Sequence, residues 1–291
     1  MFSFIIFELL LWGMLLLALI DAKARWGSKQ SLIFFVPLFI YGWVLETAAI
    51  GLFQRYEYGT DFLITLFDAP LCIAAGWASI TYSGICIAQN YTNSHIKIAL
   101  FTALWGLSID YSMDGLAVLV GYWTWFPPEG VRLPYFDVPV SNFVGWFIIL
   151  SFYTYFHLHW KERAIRQKLM GFDAILPALP ALLISITIMI KSEYERLFVS
   201  FPWWIMMLIF VVPVVLILLF WLTKYPAIQA SENKVPLLIA HSYHGFFLAL
   251  ALIVGFYGSD WRYFIAAAVA AAPMLYIAMS APFKRLQEEP Y

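Results

Sequence analysis

The chain is short of charge. Only 12% of its 291 residues are Asp, Glu, Lys or Arg, against about 25% in an ordinary soluble domain. With 63% hydrophobic residues and repeated long apolar runs, the composition is that of a multispanning membrane protein. The net charge of −1 gives no basic surface for a nucleic acid. Cysteine is scarce too. Cys72 and Cys86 fall on one predicted helix, roughly 21 Å apart at 1.5 Å per residue. They cannot bridge each other and read as small core residues. There is no C-x-x-C pair, phosphate loop or dinucleotide fingerprint, so no metal, nucleotide or redox cofactor is expected. No basic residue precedes the first apolar run, and Lys23, Arg25 and Lys29 follow it. That order predicts a retained first helix with its N-terminus outside, not a signal peptide.

Apolar runs predict about nine transmembrane helices, at 3–20, 31–53, 62–88, 96–120, 138–159, 173–190, 201–223, 235–257 and 262–282. Each approaches the ~20 residues that cross a ~30 Å hydrocarbon core. Pro177 and Pro180 interrupt the sixth. Most of the 17 Lys and Arg residues fall in loops on one side, while Arg55, Arg132, Lys191, Arg196 and Arg262 fall on the other. This bias sets the N-terminus outside and the C-terminus inside. The expected fold is all-α, a polytopic membrane helix bundle, with residues 1–291 forming a single integral membrane domain and no internal repeat. The expected location is the plasma membrane of a prokaryote, crossed many times.

Charge inside the spans is the exception to the shortage. Glu8, Glu46, Asp68, Asp110 and Asp114 lie within apolar runs, and intramembrane acids mark function more often than packing. "SIDYSMDG", Ser108 to Gly115, carries two aspartates one helical turn apart on the same face. With the predicted orientation, Glu46, Asp68 and Asp114 lie roughly 9–11 Å below the outer boundary. Asp110 sits one turn deeper, and Asn142 enters from the outer end of the fifth span. Burial and a neighbouring carboxylate both disfavour the charged form, so a close pair is expected to share one proton. Such a layer suits general acid–base chemistry or a proton relay in a carrier. His241 and His244, spaced i, i+3, could share a metal only with ligands from other helices. They read as packing residues, as do His157 and His159.

Four segments carry a resemblance: "ETAAIGLFQRYEYG" (46–59), "DAPLCIAAGWA" (68–78), "DYSMDGLAVLVGYWTW" (110–125) and "YFDVPVSNFVGW" (135–146). In this order they resemble the membrane family of carotenoid biosynthesis proteins, which includes carotenoid 1,2-hydratases and bisanhydrobacterioruberin hydratases. The motif-bearing part spans about residues 35–160. Two positions depart from the family pattern. Gly115 follows Asp114 where the family has proline, and Asp68 adds an acid before Ala69-Pro70.

The resemblance implies a cofactor-independent hydro-lyase that adds water to the terminal double bond of an acyclic carotenoid. Asp114 or Asp110 would donate the proton, the other would act as base or orient water, and Glu46 and Asp68 would shape the proton supply. Asn142 would bind water or a carboxylate, and Trp123, Trp125, Tyr135 and Trp146 would contact the polyene. A tertiary cation near those tryptophans would gain from their π faces. The implied partners are a lipophilic polyene substrate, membrane lipid and other carotenoid enzymes. The rival readings are a carotenoid end-group cyclase, a proton-coupled transporter and a membrane scaffold.

Overall fold

A computed structural model describes residues 2–51, 54, 56–127, 133–167, 183, 201–224 and 234–277. The first two predicted spans form one long helical element, α1 (Phe2–Gly51), broken at Gly27, where φ is 79° and ψ 163°. Only glycine adopts that conformation readily. No atom lies within 4 Å of a Cβ placed there, so the requirement is backbone geometry and not space. The break divides α1 into an N-terminal and a C-terminal arm. Ser31 Oγ donates to the Gly27 carbonyl at 2.9 Å, and Asp21, just before the break, accepts from Tyr82 Oη at 2.6 Å and Arg25 Nε at 2.9 Å.

The other helices are α2 (Leu71–Gln89), α3 (His95–Leu119), α4 (Val140–Gln167), α5 (Trp203–Lys224), α6 (Val235–Gly258) and α7 (Arg262–Ala270). A π-helical turn at Met207–Val211 lies within α5. By length and composition, four of these elements (α1, α2, α5 and α6) can each cross a membrane. The sixth predicted span, 173–190, lies outside the described residues apart from Leu183, as does the end of the ninth. The main pairings are α1 with α2 and α3 with α4. Helix α6 packs on α1, α2 and α3, and α7 packs on α3 and α6.

The third predicted span begins too early. Residues 62–70 are not helical, and α2 starts at Leu71, after Pro70. The preceding strands β2 (Thr65–Leu66) and β3 (Ala69–Pro70) form a hairpin. Its two turn residues, Phe67 and Asp68, have φ of 51° and 62°, the left-handed pair of a tight hairpin turn. Glu8 holds the hairpin by accepting from the Leu63 N–H at 2.7 Å and the Ile64 N–H at 3.4 Å. Ahead of it, β1 (Tyr56–Tyr58) pairs antiparallel with β4 (Trp123–Trp125), which follows α3.

The same turn recurs before α4. Phe136 and Asp137 have φ of 51° and 62°, bridged by Tyr135 and Val138. "FDAPLCIAAGW" (Phe67–Trp77) and "FDVPVSNFVGW" (Phe136–Trp146) share Phe, Asp, Pro, Gly and Trp at equal spacing. Each follows a helix bearing an acid near its end, Glu46 or Asp114, and then a strand. The chain thus contains an internal repeat, contrary to the sequence expectation. The C-terminal arm of α1 with α2 is one unit, and α3 with α4 is the other. The units meet as a local two-fold axis would place them. The strands pair about Glu57↔Thr124, with Tyr56 opposite Trp125 and Tyr58 opposite Trp123. Trp77 stacks on its counterpart Trp146 at 3.9 Å and 25°. Inspection of the sequence passed over the repeat because the conformations that recur, a left-handed turn and a helix start, require few specific residues.

Gly115 sits against this turn. A Cβ at Gly115 would lie 2.7 Å from Phe136 Cβ, which is fixed in the left-handed turn and cannot swing away. Gly27→Ala is therefore expected to destabilise the protein by about 1–3 kcal/mol through backbone strain. Gly115→Ala should cost a similar ~1–3 kcal/mol through overpacking. Thermal unfolding in detergent checks both, and an unchanged midpoint for either would remove its explanation.

Candidate active site

Between the two repeat units, beneath the paired strands, lies a cavity with an empty volume of about 1260 Å³ including its mouth. Most of its wall is apolar or aromatic, with Phe7, Leu11, Ile73, Ile80, Met113 and Ile149 among the lining residues. Carboxylates enter from the ends of two helices, one in each unit.

In the first unit Glu46 is 7% exposed and lines the cavity. Its Oε2 accepts from the hydroxyls of Tyr56 and, at 2.8 Å, Tyr58. Its Oε1 accepts from Trp77 Nε1 at 2.9 Å. The strand alternation explains the two tyrosines, since Tyr56 and Tyr58 lie two apart and face the same way. Burial and the adjacent Glu46 push both phenols well above the ordinary tyrosine value, so both remain donors at neutral pH. No sequence expectation named Tyr56, Tyr58 or Trp77. The available signal was the alternation in "YEY", matched by "WTW" in the second unit.

In the second unit Asp114 lines the cavity, and Asp110 lies one turn deeper, fully buried. Asn142, at the start of α4, donates its amide to Asp110 Oδ2 at 3.0 Å and also to Asp114 Oδ2. The one amide thus sits between the two buried carboxyl groups and sets them side by side. Among the described residues, buried Asp110 Oδ1 has no hydrogen-bond partner.

The structure therefore brings together Glu46, Asp110, Asp114 and Asn142. Trp123, Trp125 and Trp146 line the same cavity. Trp125 packs on Tyr56 with ring centroids 4.5 Å apart, and Trp123 meets Tyr58 edge-on at 5.8 Å. The indole N–H groups of Trp123 and Trp125 are buried without partners among the described residues. Two expected residues stand apart from the wall. Tyr135 is buried behind it and donates to the Tyr111 carbonyl at 2.9 Å. Asp68 is exposed on the β2–β3 turn. The depth estimate failed for Asp68 because it counted residues 62–70 at helical rise, whereas they form an extended hairpin.

The histidines are engaged elsewhere. His241 Nδ1 lies 2.5 Å from the Leu237 carbonyl. His244 is fully buried, with Nδ1 at 3.0 Å from Ser112 Oγ. His157 packs edge-on against Phe34 at 5.0 Å.

The cavity thus offers a carboxyl pair bridged by an amide on one wall, a separately held carboxyl group on the other, and aromatic faces between. No curated protein and no solved structure matched the chain. The profile of one family, described as carotenoid biosynthesis protein, matches residues 4–201, which contain both repeat units and every residue of the cavity wall. The chain belongs to the carotenoid biosynthesis protein family.

Proposed function

We propose that the protein is a cofactor-independent hydratase of an acyclic carotenoid end group. The observation that carries this reading is the buried Asp110–Asp114 pair, joined by the Asn142 amide at the wall of an aromatic cavity in a chain of this family; two carboxyl groups so placed favour sharing one proton. A trisubstituted terminal alkene is a weak base, and its protonation needs a carboxylic acid in a dry site that also stabilises the cation formed. Asp114 faces the cavity and gives the proton, and Asp110 behind it shares the charge left on the pair. Asn142 fixes both carboxyl groups. The π faces of Trp123, Trp125 and Trp146 favour the tertiary cation, and water captures it to form a tertiary alcohol. Asp68, on its exposed turn, takes no part. The substrate is a lipophilic polyene that enters from membrane lipid, and the neighbouring carotenoid enzymes supply it and take its product.

In this reading the chain crosses a prokaryotic plasma membrane about nine times, with the N-terminus outside and the C-terminus inside. The distribution of Lys and Arg supports that orientation, which sets the strands and the cavity mouth toward the outer face.

The deciding measurement is expression in a host that accumulates an acyclic carotenoid, followed by mass spectrometry of the pigments. A hydratase yields pigment heavier by one water per reacted end. An isomeric pigment would instead identify a cyclase. Unaltered pigment across a panel of acyclic substrates would favour a carrier. In membranes that hydrate, Asp114→Asn is expected to lower turnover by about 10²–10⁴-fold, the usual contribution of a general acid. If Asp110→Asn and Asp114→Asn both kept full turnover, the proton donor would lie elsewhere.

A further inference from the structure

The internal repeat makes Glu46 and Asp114 counterparts, each near the end of the first helix of its unit, yet their surroundings have diverged. One turn before Asp114 stands a second acid, Asp110. One turn before Glu46 stands Gly42, whose absent side chain leaves room for Trp77, since a Cβ there would lie 3.3 Å from Trp77 Cδ1. Asn142, which bridges the two aspartates, has Ile73 as its counterpart. The strand positions that present Tyr56 and Tyr58 to Glu46 carry Trp123 and Trp125 in the second unit, with their indole N–H groups unpartnered among the described residues. The second unit therefore pairs its acid with another acid. The first unit isolates its acid and surrounds it with donors.

Among the described residues, every hydrogen bond of Glu46 is donated to it, and both of its oxygens accept. That is the pattern of a carboxylate, which has no proton to give. From this divergence we infer that the two halves divide the reaction: Asp114 delivers the proton, and Glu46 is the fixed base that orients the attacking water and takes its proton. Tyr56, Tyr58 and Trp77 are positioning residues that hold Glu46 for this role. The inference rests on the hydratase reading and adds to it the identity of the base and its support.

The steps balance. The π pair of the alkene takes the Asp114 proton to form a C–H bond, leaving a tertiary cation. A lone pair of water forms the C–O bond, and one water proton passes to Glu46. That proton then returns to the aspartate pair, restoring both acids. Tyr56, hydrogen-bonded to Glu46, lines the same cavity as Asp114. The net reaction is alkene plus water to tertiary alcohol, with no other reactant.

The division has a specific signature. If protonation and water capture use different acids, disabling the base leaves a cation that can only lose a proton again. Membranes containing the full-length protein, supplied with an acyclic carotenoid in D2O, report both steps through hydrated product and through deuterium in the unhydrated carotenoid. Asp114→Asn is expected to abolish both signals. Glu46→Gln is expected to lower hydration by about 10²-fold or more while deuterium still enters the unhydrated pool. Tyr58→Phe removes one donor and keeps the carboxylate, and should lower hydration several-fold with deuterium entry retained. It also carries the test if Glu46→Gln does not reach the membrane. Equal loss of both signals in the Glu46 and Tyr58 variants would overturn the division, and so would undiminished hydration in them. Absence of hydrated product from the wild-type protein with every acyclic substrate would overturn the hydratase reading itself, which keeps the two failures distinct.

Discussion

A carboxyl group buried away from water must be met by hydrogen-bond donors or by a shared proton, and the end of this bundle that carries the strands is arranged around that demand. Glu8 is answered by backbone N–H groups of the β2–β3 hairpin. Glu46 is answered by two tyrosines and a tryptophan. Asp110 and Asp114 are answered by one shared asparagine amide. Among the described residues, none of these acids has a lysine or arginine as a hydrogen-bond partner.

The short strands acquire their meaning from the same constraint. A pair of three-residue strands is marginal by itself. Here it spans the repeat, carries the two tyrosines to Glu46 and sets two tryptophans at the cavity. The hairpin turns do comparable work lower in the hierarchy. Each left-handed Phe-Asp turn ends in a proline that starts a helix, and each of those helices delivers a Gly-Trp pair to the contact between the units. Trp77 stacked on Trp146 closes that contact. Gly115 accommodates the second turn, where a Cβ would meet Phe136.

The two units share a backbone plan but differ in side chains, which makes the site asymmetric within a similar frame. The backbone plan is held by few residues, leaving positions such as Gly42 and Asp110, or Ile73 and Asn142, free to differ. Those differences decide whether a unit presents a single carboxyl group among donors or a pair bridged by an amide. An apolar cavity between two such units provides a water-poor space, in which electrostatic interactions with a developing cation are stronger than in bulk water.

Much of this was legible in the sequence. Apolar runs determine the helical membrane character, because a segment surrounded by lipid must satisfy its backbone internally. The spacing of Asp110 and Asp114 determines that they share a face, because helical periodicity is local. The motifs determine the family. Tertiary structure alone decided the rest. It moved Asp68 from a buried layer to an exposed turn, because rise per residue depends on a conformation that hydropathy does not report. It withdrew Tyr135 from the cavity to a backbone carbonyl. It also brought Tyr56, Tyr58 and Trp77 to Glu46. Their separation along the chain conceals that meeting, which follows from strand pairing across the repeat and from packing of α2 against α1, and neither is encoded by any one segment.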